Sequence, residues 1–423
     1  MKSLVAGRIH YRDPADQIVL SALVSPAPAE RDFCAAIRKA AGRYAVCCSR
    51  LVPGENGALC FGDAAECSVP IEIRDGACDL QALLFEQRRI PFCAEDGEFF
   101  RFFLFRQPEA TQLVVVSSHL AGDGISVVFL LRDVLHALAA PDADMPAQPM
   151  RLMEDFGYPK SSRPGLLNKL VLRKLNRMWR AEKRVFSRDE YLDMYRSYWQ
   201  DRHRTLLTAE LSGEELQRLI ARCRGARVTL NSALCASLLG AFGTSDVGMA
   251  VSVRPSGFDG MGNFASGLSV HARYDEKQTF RRNARRVHRR IYRKLRRSRT
   301  KYRVLQSLQR IDPTLIDAIY FSMYAGFESG AARWAQDLFK YSPAARHLVS
   351  VTNLGRPDVP ARYGPYTLDS VLFIPPLIAT SETMLGALTV GGTLTLTMQF
   401  DEGRCPADCR RAFEAALCIL RGD

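Results

Sequence analysis

A chain of 423 residues, 47% of them hydrophobic, is long enough for two domains with cores of their own and too apolar to be mainly disordered. Its net charge of +13 points to anionic partners, and no uninterrupted apolar run is long enough to span a bilayer. Met1 to Asp13 is broken by Arg8, His10, Arg12 and Asp13, unlike a signal peptide, so a cytoplasmic location is expected. The twelve cysteines lack the paired spacing of a zinc site. They read as reduced thiols with no metal, Cys405 and Cys409 included.

Leu113 to Val116 is β-branched and short, as in a buried strand, and Ile125 to Leu138 reads as a largely apolar helix. His119 falls between them on a strand-to-helix turn. Imidazole takes up a proton near neutral pH, and a carboxylate four residues on, Asp123, can fix the geometry of the turn. Gly122 and Gly124 permit close approach of backbone. Taken alone, a histidine at a strand end is more often structural than catalytic.

The next segment, Phe156 to Arg188, holds ten Lys or Arg against one acid, Glu182. Leu167, Val171, Leu175 and Met178 trace one helical side, widened by Leu166, Leu170 and Trp179, with Lys169 to Lys183 supplying cations. That pattern suits either an interfacial membrane helix or a helix bridging two domains. Leu206 to Leu211 follows the boundary, and Ser212-Gly213-Glu214-Glu215 looks like a helix start. Thr229 is placed to cap a helix through Leu239. A second basic segment, Arg281 to Arg310, carries fourteen Lys or Arg and no acid. Phe280, Ala284, Val287, Ile291, Leu295, Ser298, Tyr302 and Leu305 form a narrow stripe along it. Like charges at i,i+4 repel by roughly 0.2–0.5 kcal/mol per pair, so an anionic partner is expected, with a salt-screened solvated helix as the plain alternative. The basic helices lack interleaved exposed aromatics or a recognisable binding motif, which argues against nucleic acid.

The pattern His119-x-x-x-Asp123-Gly124 resembles the signature of the chloramphenicol-acetyltransferase-like superfamily. That group includes peptide-synthetase condensation domains, alcohol acyltransferases, wax ester synthases and polyketide-associated acyltransferases. Further similarities follow in the family's order. Phe33 to Tyr44 with Ser49 to Leu51 is similar to its first helix and strand, and Val228 to Leu239 to its Thr-x-Asn-x-x-Leu-x-Ala helix. Val251 to Arg254, Gly262 to Ser266, Ser350 to Gly355 and Gly392 to Thr397 resemble its Val-x-x-Arg strand, Gly-Asn-Phe turn, Asn-x-Gly segment and closing strand. Ser118 stands where many relatives have a first histidine, and the late Asp-Phe-Gly-Trp-Gly motif of the plant-type branch is not found.

The resemblance implies an α/β protein of two chloramphenicol-acetyltransferase-like subdomains, each a mixed sheet with helices, and an active-site tunnel between them. The expected division is 1–158 for the N-terminal subdomain, 159–205 for a basic amphipathic linker, and 206–423 for the C-terminal subdomain. It implies transfer of an acyl group from an acyl-CoA or acyl-carrier-protein thioester to a hydroxyl, with His119 as general base and no acyl-enzyme. Asp123, Gly124 and Arg254 would support the site structurally, Asp123 by pairing with Arg254. Ser118, Thr352 and Asn353, or the Gly124 N–H, are candidates for oxyanion or substrate contacts. No permanently bound cofactor is expected. The alternatives are an amide-forming condensation enzyme and a non-catalytic membrane-associated binder of the same fold. The cationic stretches Lys169 to Lys183 and Arg281 to Arg303 would meet an acidic carrier protein or the inner face of an anionic membrane.

Overall fold

The computed structural model describes residues 2–64, 67, 69–341 and 346–422. Within them the chain is α/β, built on two six-stranded mixed sheets. The first sheet runs Arg362–Tyr363, Tyr366–Ile374, Gln17–Ser25, Thr111–Ser118, Phe100–Arg106, Ile71–Asp75, antiparallel except for the last pair. The second runs Ala265–His271, Asp246–Ser252, Ser350–Asn353, Thr383–Val390, Thr393–Asp401, Arg204–Leu211, with Ser350–Asn353 parallel to both its neighbours. Thr111–Ser118 lies inside the first sheet and is buried on both faces, which explains its unbroken apolar run. The helix after it, Gly124–Ala139, packs with Glu30–Gly42 in the core of that sheet.

The stretch 206–423 does not keep to one sheet. Tyr366–Ile374 leaves it and pairs with Gln17–Ser25. In return the second sheet grips this strand: Thr395 and Thr397 donate their hydroxyls to Val371 O at 2.8 Å and Phe373 O at 2.7 Å. A Cβ on Gly386 would fall 2.6 Å from Phe373 O, so the close approach of the sheets requires glycine there. Nothing local in an apolar strand says which of two sheets will take it.

The stretch 159–205 is more than a crossover. Its helices Leu166–Glu182 and Arg188–Gln200 join Pro313–Tyr324 and Gly330–Phe339 in a third, helical core. Leu172, Leu175 and Trp179 are buried there, each contributing about 1.5–3 kcal/mol, and Trp179 Nε1 donates to Thr314 Oγ1 at 2.9 Å. The single apolar side expected for this helix is therefore split: Leu175 is buried in protein, whereas Leu166, Leu167 and Leu170 face solvent.

The stripe expected over 280–305 also breaks. Phe280–Leu295 and Ser298–Leu308 are separate helices. The first buries Ala284, Val287 and Ile291 in the second sheet's core, while Tyr302 and Leu305 pack against Met153, Val253 and Phe264. One straight helix could not serve both surfaces.

The expectation of twelve free thiols fails at one pair, Cys48 and Cys67, which form a disulfide. Both approach the hairpin of Ser49–Pro53 and Leu59–Asp63, so folding brings together residues 19 apart. Cys405 and Cys409 are free thiols whose sulfurs lie 3.0 Å apart. Among the described residues no helix is long and apolar enough to cross a membrane.

Candidate active site

His119 is the first residue beyond the central strand Thr111–Ser118, and its N–H donates to Asp16 O at 3.2 Å. Asp123 ends the turn as the N-cap of helix Gly124–Ala139, accepting from Ser126 N at 3.0 Å. Gly124, the first helical residue, sits against the crossing strand: a Cβ there would fall 2.7 Å from the Phe373 ring and 3.0 Å from Leu354. That contact brings the turn against the segment Ser350 to Gly355.

The Asp123 carboxylate is filled by donors. Oδ1 accepts from Arg254 Nη2 at 2.7 Å, Ser126 Oγ at 2.9 Å and Ser126 N, and Oδ2 accepts from Phe264 N at 3.0 Å. Oδ1 is saturated by three donors and Oδ2 is held by the Phe264 N–H, so the carboxylate is fixed as the acceptor of the turn and loop. Arg254 also donates to Gly260 O at 2.6 Å and lies over the Phe264, Phe129 and Phe258 rings, 4.7, 5.3 and 5.8 Å from their centroids. Asp123 N in turn donates to Gly262 O at 3.2 Å. The pair thus ties a turn on the first sheet to the 254–264 loop of the second.

Two residues that sequence reasoning missed complete the surroundings of His119. The ring of His10 stacks on it, centroids 4.1 Å apart and planes 11° from parallel, and His10 Nδ1 is hydrogen-bonded to Asp16. The sequence reading counted His10 and Asp13 only as interruptions of an apolar run. The available signal was the density of titratable groups from His10 to Asp16 just before the strand Gln17–Ser25. Asn263, noted there only as part of a turn, places its side-chain amide 3.1 Å from His119 Nδ1.

Burial pushes the His119 pKa down, and the neighbouring His10 adds to this, while Asp16 opposes it. Burial lowers His10 to about 3. Asp16 is raised to about 7 by burial, and Asp13 to about 7 by burial and the charge of Asp16. At neutral pH both imidazoles are therefore uncharged. His10, Asp16 and His119 bring potential ligand atoms within 4.8 Å of one another. Parallel stacking keeps the two in-plane lone pairs from converging on one ion, so the cluster suits proton handling better than coordination.

Other expected contacts are placed differently. Ser118 Oγ accepts from Leu120 N at 3.4 Å inside the turn. Thr352 Oγ1 lies 3.7 Å from Met384 Sδ, and Asn353 Oδ1 accepts from Gly355 N at 2.8 Å. Among the described residues neither Thr352 nor Asn353 is hydrogen-bonded to His119. Asn353, Gly355 and Arg356 instead line a cavity of about 760 Å³ with Leu230 and Tyr292, within the size range of ligand pockets. Two cavities bordering His10 hold only about 50 and 20 Å³.

No family model matches this sequence, and no curated protein matches it either. The architecture, by contrast, is shared with solved structures. The condensation domain of the monacolin K polyketide synthase MokA superposes with a TM-score of 0.62 at 13% identity, over 100% of this chain and 96% of that one. The chain has the condensation-domain fold. Polyketide synthase associated protein 5 from Mycobacterium tuberculosis also superposes at 0.62, with 14% identity and the same coverages of 100% and 96%. So does the epimerization domain of the third module of tyrocidine synthetase B, at 0.62, 14%, 97% and 91%. Since an epimerization domain shares the condensation-domain fold, the reaction must be argued from the residues of the site.

Proposed function

We propose that this protein is an acyltransferase that moves an acyl group from a coenzyme A or carrier-protein thioester to a hydroxyl, without an acyl-enzyme. The observation that carries this reading is His119: a neutral imidazole at a strand end, held by Asn263 and the His10 stack where the two sheets meet. Neutrality matters because a base must have its lone pair free. Asn263 Nδ2 faces Nδ1 and donates to His119 O at 3.3 Å, so for Nε2 to serve as the base the ring proton must move to Nδ1 and Asn263 must turn its donor away from that nitrogen when substrate binds.

Nε2 takes the proton of the acceptor hydroxyl as the oxygen attacks the thioester carbonyl. The C–S bond then breaks, and the same proton passes to the departing thiolate. The Gly124 amide, at the first helical position, has no acceptor within the helix and is the candidate donor to the oxyanion. Asp123 and Arg254 keep that turn in place and touch no substrate. The 760 Å³ cavity beside Asn353 and Arg356 is large enough for the donor's pantetheine arm, and the small cavities at His10 must widen to admit an acceptor.

The test is mass spectrometry of the purified protein with acyl-CoAs of graded chain length, acyl-carrier protein, and a panel of alcohols and amines. Ester formation lost by about 10²–10⁴-fold in His119→Ala, with an unchanged melting temperature, is expected. Undiminished transfer by that variant overturns the mechanism, and products confined to the amines replace the hydroxyl acceptor by an amine.

A further inference from the structure

The two basic segments, separated by about a hundred residues in sequence, are neighbours in space. Gln306 Nε2 donates to Ser162 Oγ at 2.7 Å, Tyr158 meets Tyr302 edge-on at 5.8 Å, and Asn176 Nδ2 donates to Arg310 O at 2.8 Å. Helix Ser298–Leu308 therefore lies beside the approach to helix Leu166–Glu182. Exposed Arg299, Arg303 and Arg310 join exposed Lys160, Arg163, Lys169, Arg173, Arg177 and Arg180 on one surface. Among the described residues none of these nine cations is in an ion pair.

The apolar end of the same helix faces solvent. Leu166, Leu167 and Leu170 are 79%, 74% and 59% exposed, while Leu172, Leu175 and Trp179, one to three turns on, are buried in protein. Exposed leucine is common singly, but three clustered within little more than the first turn of one helix, beside cations that form no ion pair among the described residues, are not. A protein-bridging role already accounts for the buried residues and leaves these three unexplained.

We propose that this helix end docks on a membrane: Leu166, Leu167 and Leu170 insert at the acyl-chain boundary of an anionic phospholipid bilayer, and the joined basic segments bind its headgroups. Apolar side chains need a hydrocarbon phase to leave water, and the surrounding cations need phosphate to offset their mutual repulsion. An anionic bilayer supplies both at one surface. The placement is independent of which acyl transfer the protein performs.

Cosedimentation of the full chain with vesicles tests it, using phosphatidylcholine alone and phosphatidylcholine with about one-third phosphatidylglycerol. Binding is expected to the anionic vesicles only, to weaken as salt is raised, and to fall about tenfold or more in L166Q/L167Q/L170Q at an unchanged melting temperature. K169Q/R173Q/R177Q should lower binding and flatten its salt dependence. Failure of the wild type to bind overturns the proposal, as does undiminished binding of the leucine variant, which would mean headgroup attraction without insertion. Self-association, or binding to an acidic carrier protein, that is abolished in the leucine variant without any vesicle binding would assign the patch to a protein and likewise overturn it.

Discussion

His10 lies flat against His119, ring centroids 4.1 Å apart, and Asp16 holds His10 through its Nδ1. The stack sets a neutral ring against His119. Two environmental effects on His119 oppose each other: His10 lowers its pKa and Asp16 raises it.

Opposite shifts in the pH profile should follow. His10→Phe keeps a stacking ring but removes the competing imidazole and leaves the Asp16 carboxylate facing His119. The acid limb of kcat/KM should then move to higher pH. Asp16→Asn removes the group whose ionised form favours the protonated His119 ring and should move that limb to lower pH. Because Asp13, Asp16 and His119 share protons, the limb belongs to the cluster and not to one ring. Displacement of both limbs in the same direction would contradict the arrangement.

Arg254 pairs with Asp123 across the junction of the two sheets, with Asp123 buried and Arg254 mostly so. Arg254→Ala leaves a buried carboxylate without its main counter-charge and should cost about 3–5 kcal/mol, read as a fall in melting temperature or denaturation midpoint. Arg254→Lys should recover part of this, since an ammonium restores the charge but not the fork that reaches Asp123 and Gly260 together. A drop in turnover at full stability would show that Arg254 acts on the substrate instead.

Asp13 is raised to about 7 by burial and by Asp16, against an ordinary value of 3.8. An acid with a raised folded-state pKa binds its proton more tightly folded than unfolded. Its ionisation therefore destabilises the fold progressively from about pH 4 to pH 7 and by a constant amount above that. Asp13→Asn should accordingly be more stable than the wild type at pH 8, by about 1–3 kcal/mol, and should lose that advantage near pH 4. Thermal melts of both proteins at the two pH values decide it; equal differences at the two values would place Asp13 outside the buried pair.

Legibility in the sequence followed the range of the interactions. The strand through Leu113 to Val116, the N-cap at Thr229, and the helix starting at Gly213 depend on residues within a turn of one another, and they lie where the residues placed them. His10 and Asp16 were not legible as site residues, because their partner is more than a hundred positions away and no local periodicity marks a ring that will stack. The break at Arg296–Arg297 was hidden for a similar reason: the stripe has helical spacing throughout, and only the two separate surfaces it must cover divide it.

By itself, then, the sequence determined which residues could do chemistry and which local elements would carry them, since both follow from side-chain type and short-range spacing. Only the tertiary structure decided which sheet takes Tyr366–Ile374, that His10 rather than a residue at 118 stands against His119, and which leucines of the basic helix stay in solvent. Those outcomes depend on contacts between distant segments, whose energies exist only once the chain has closed on itself.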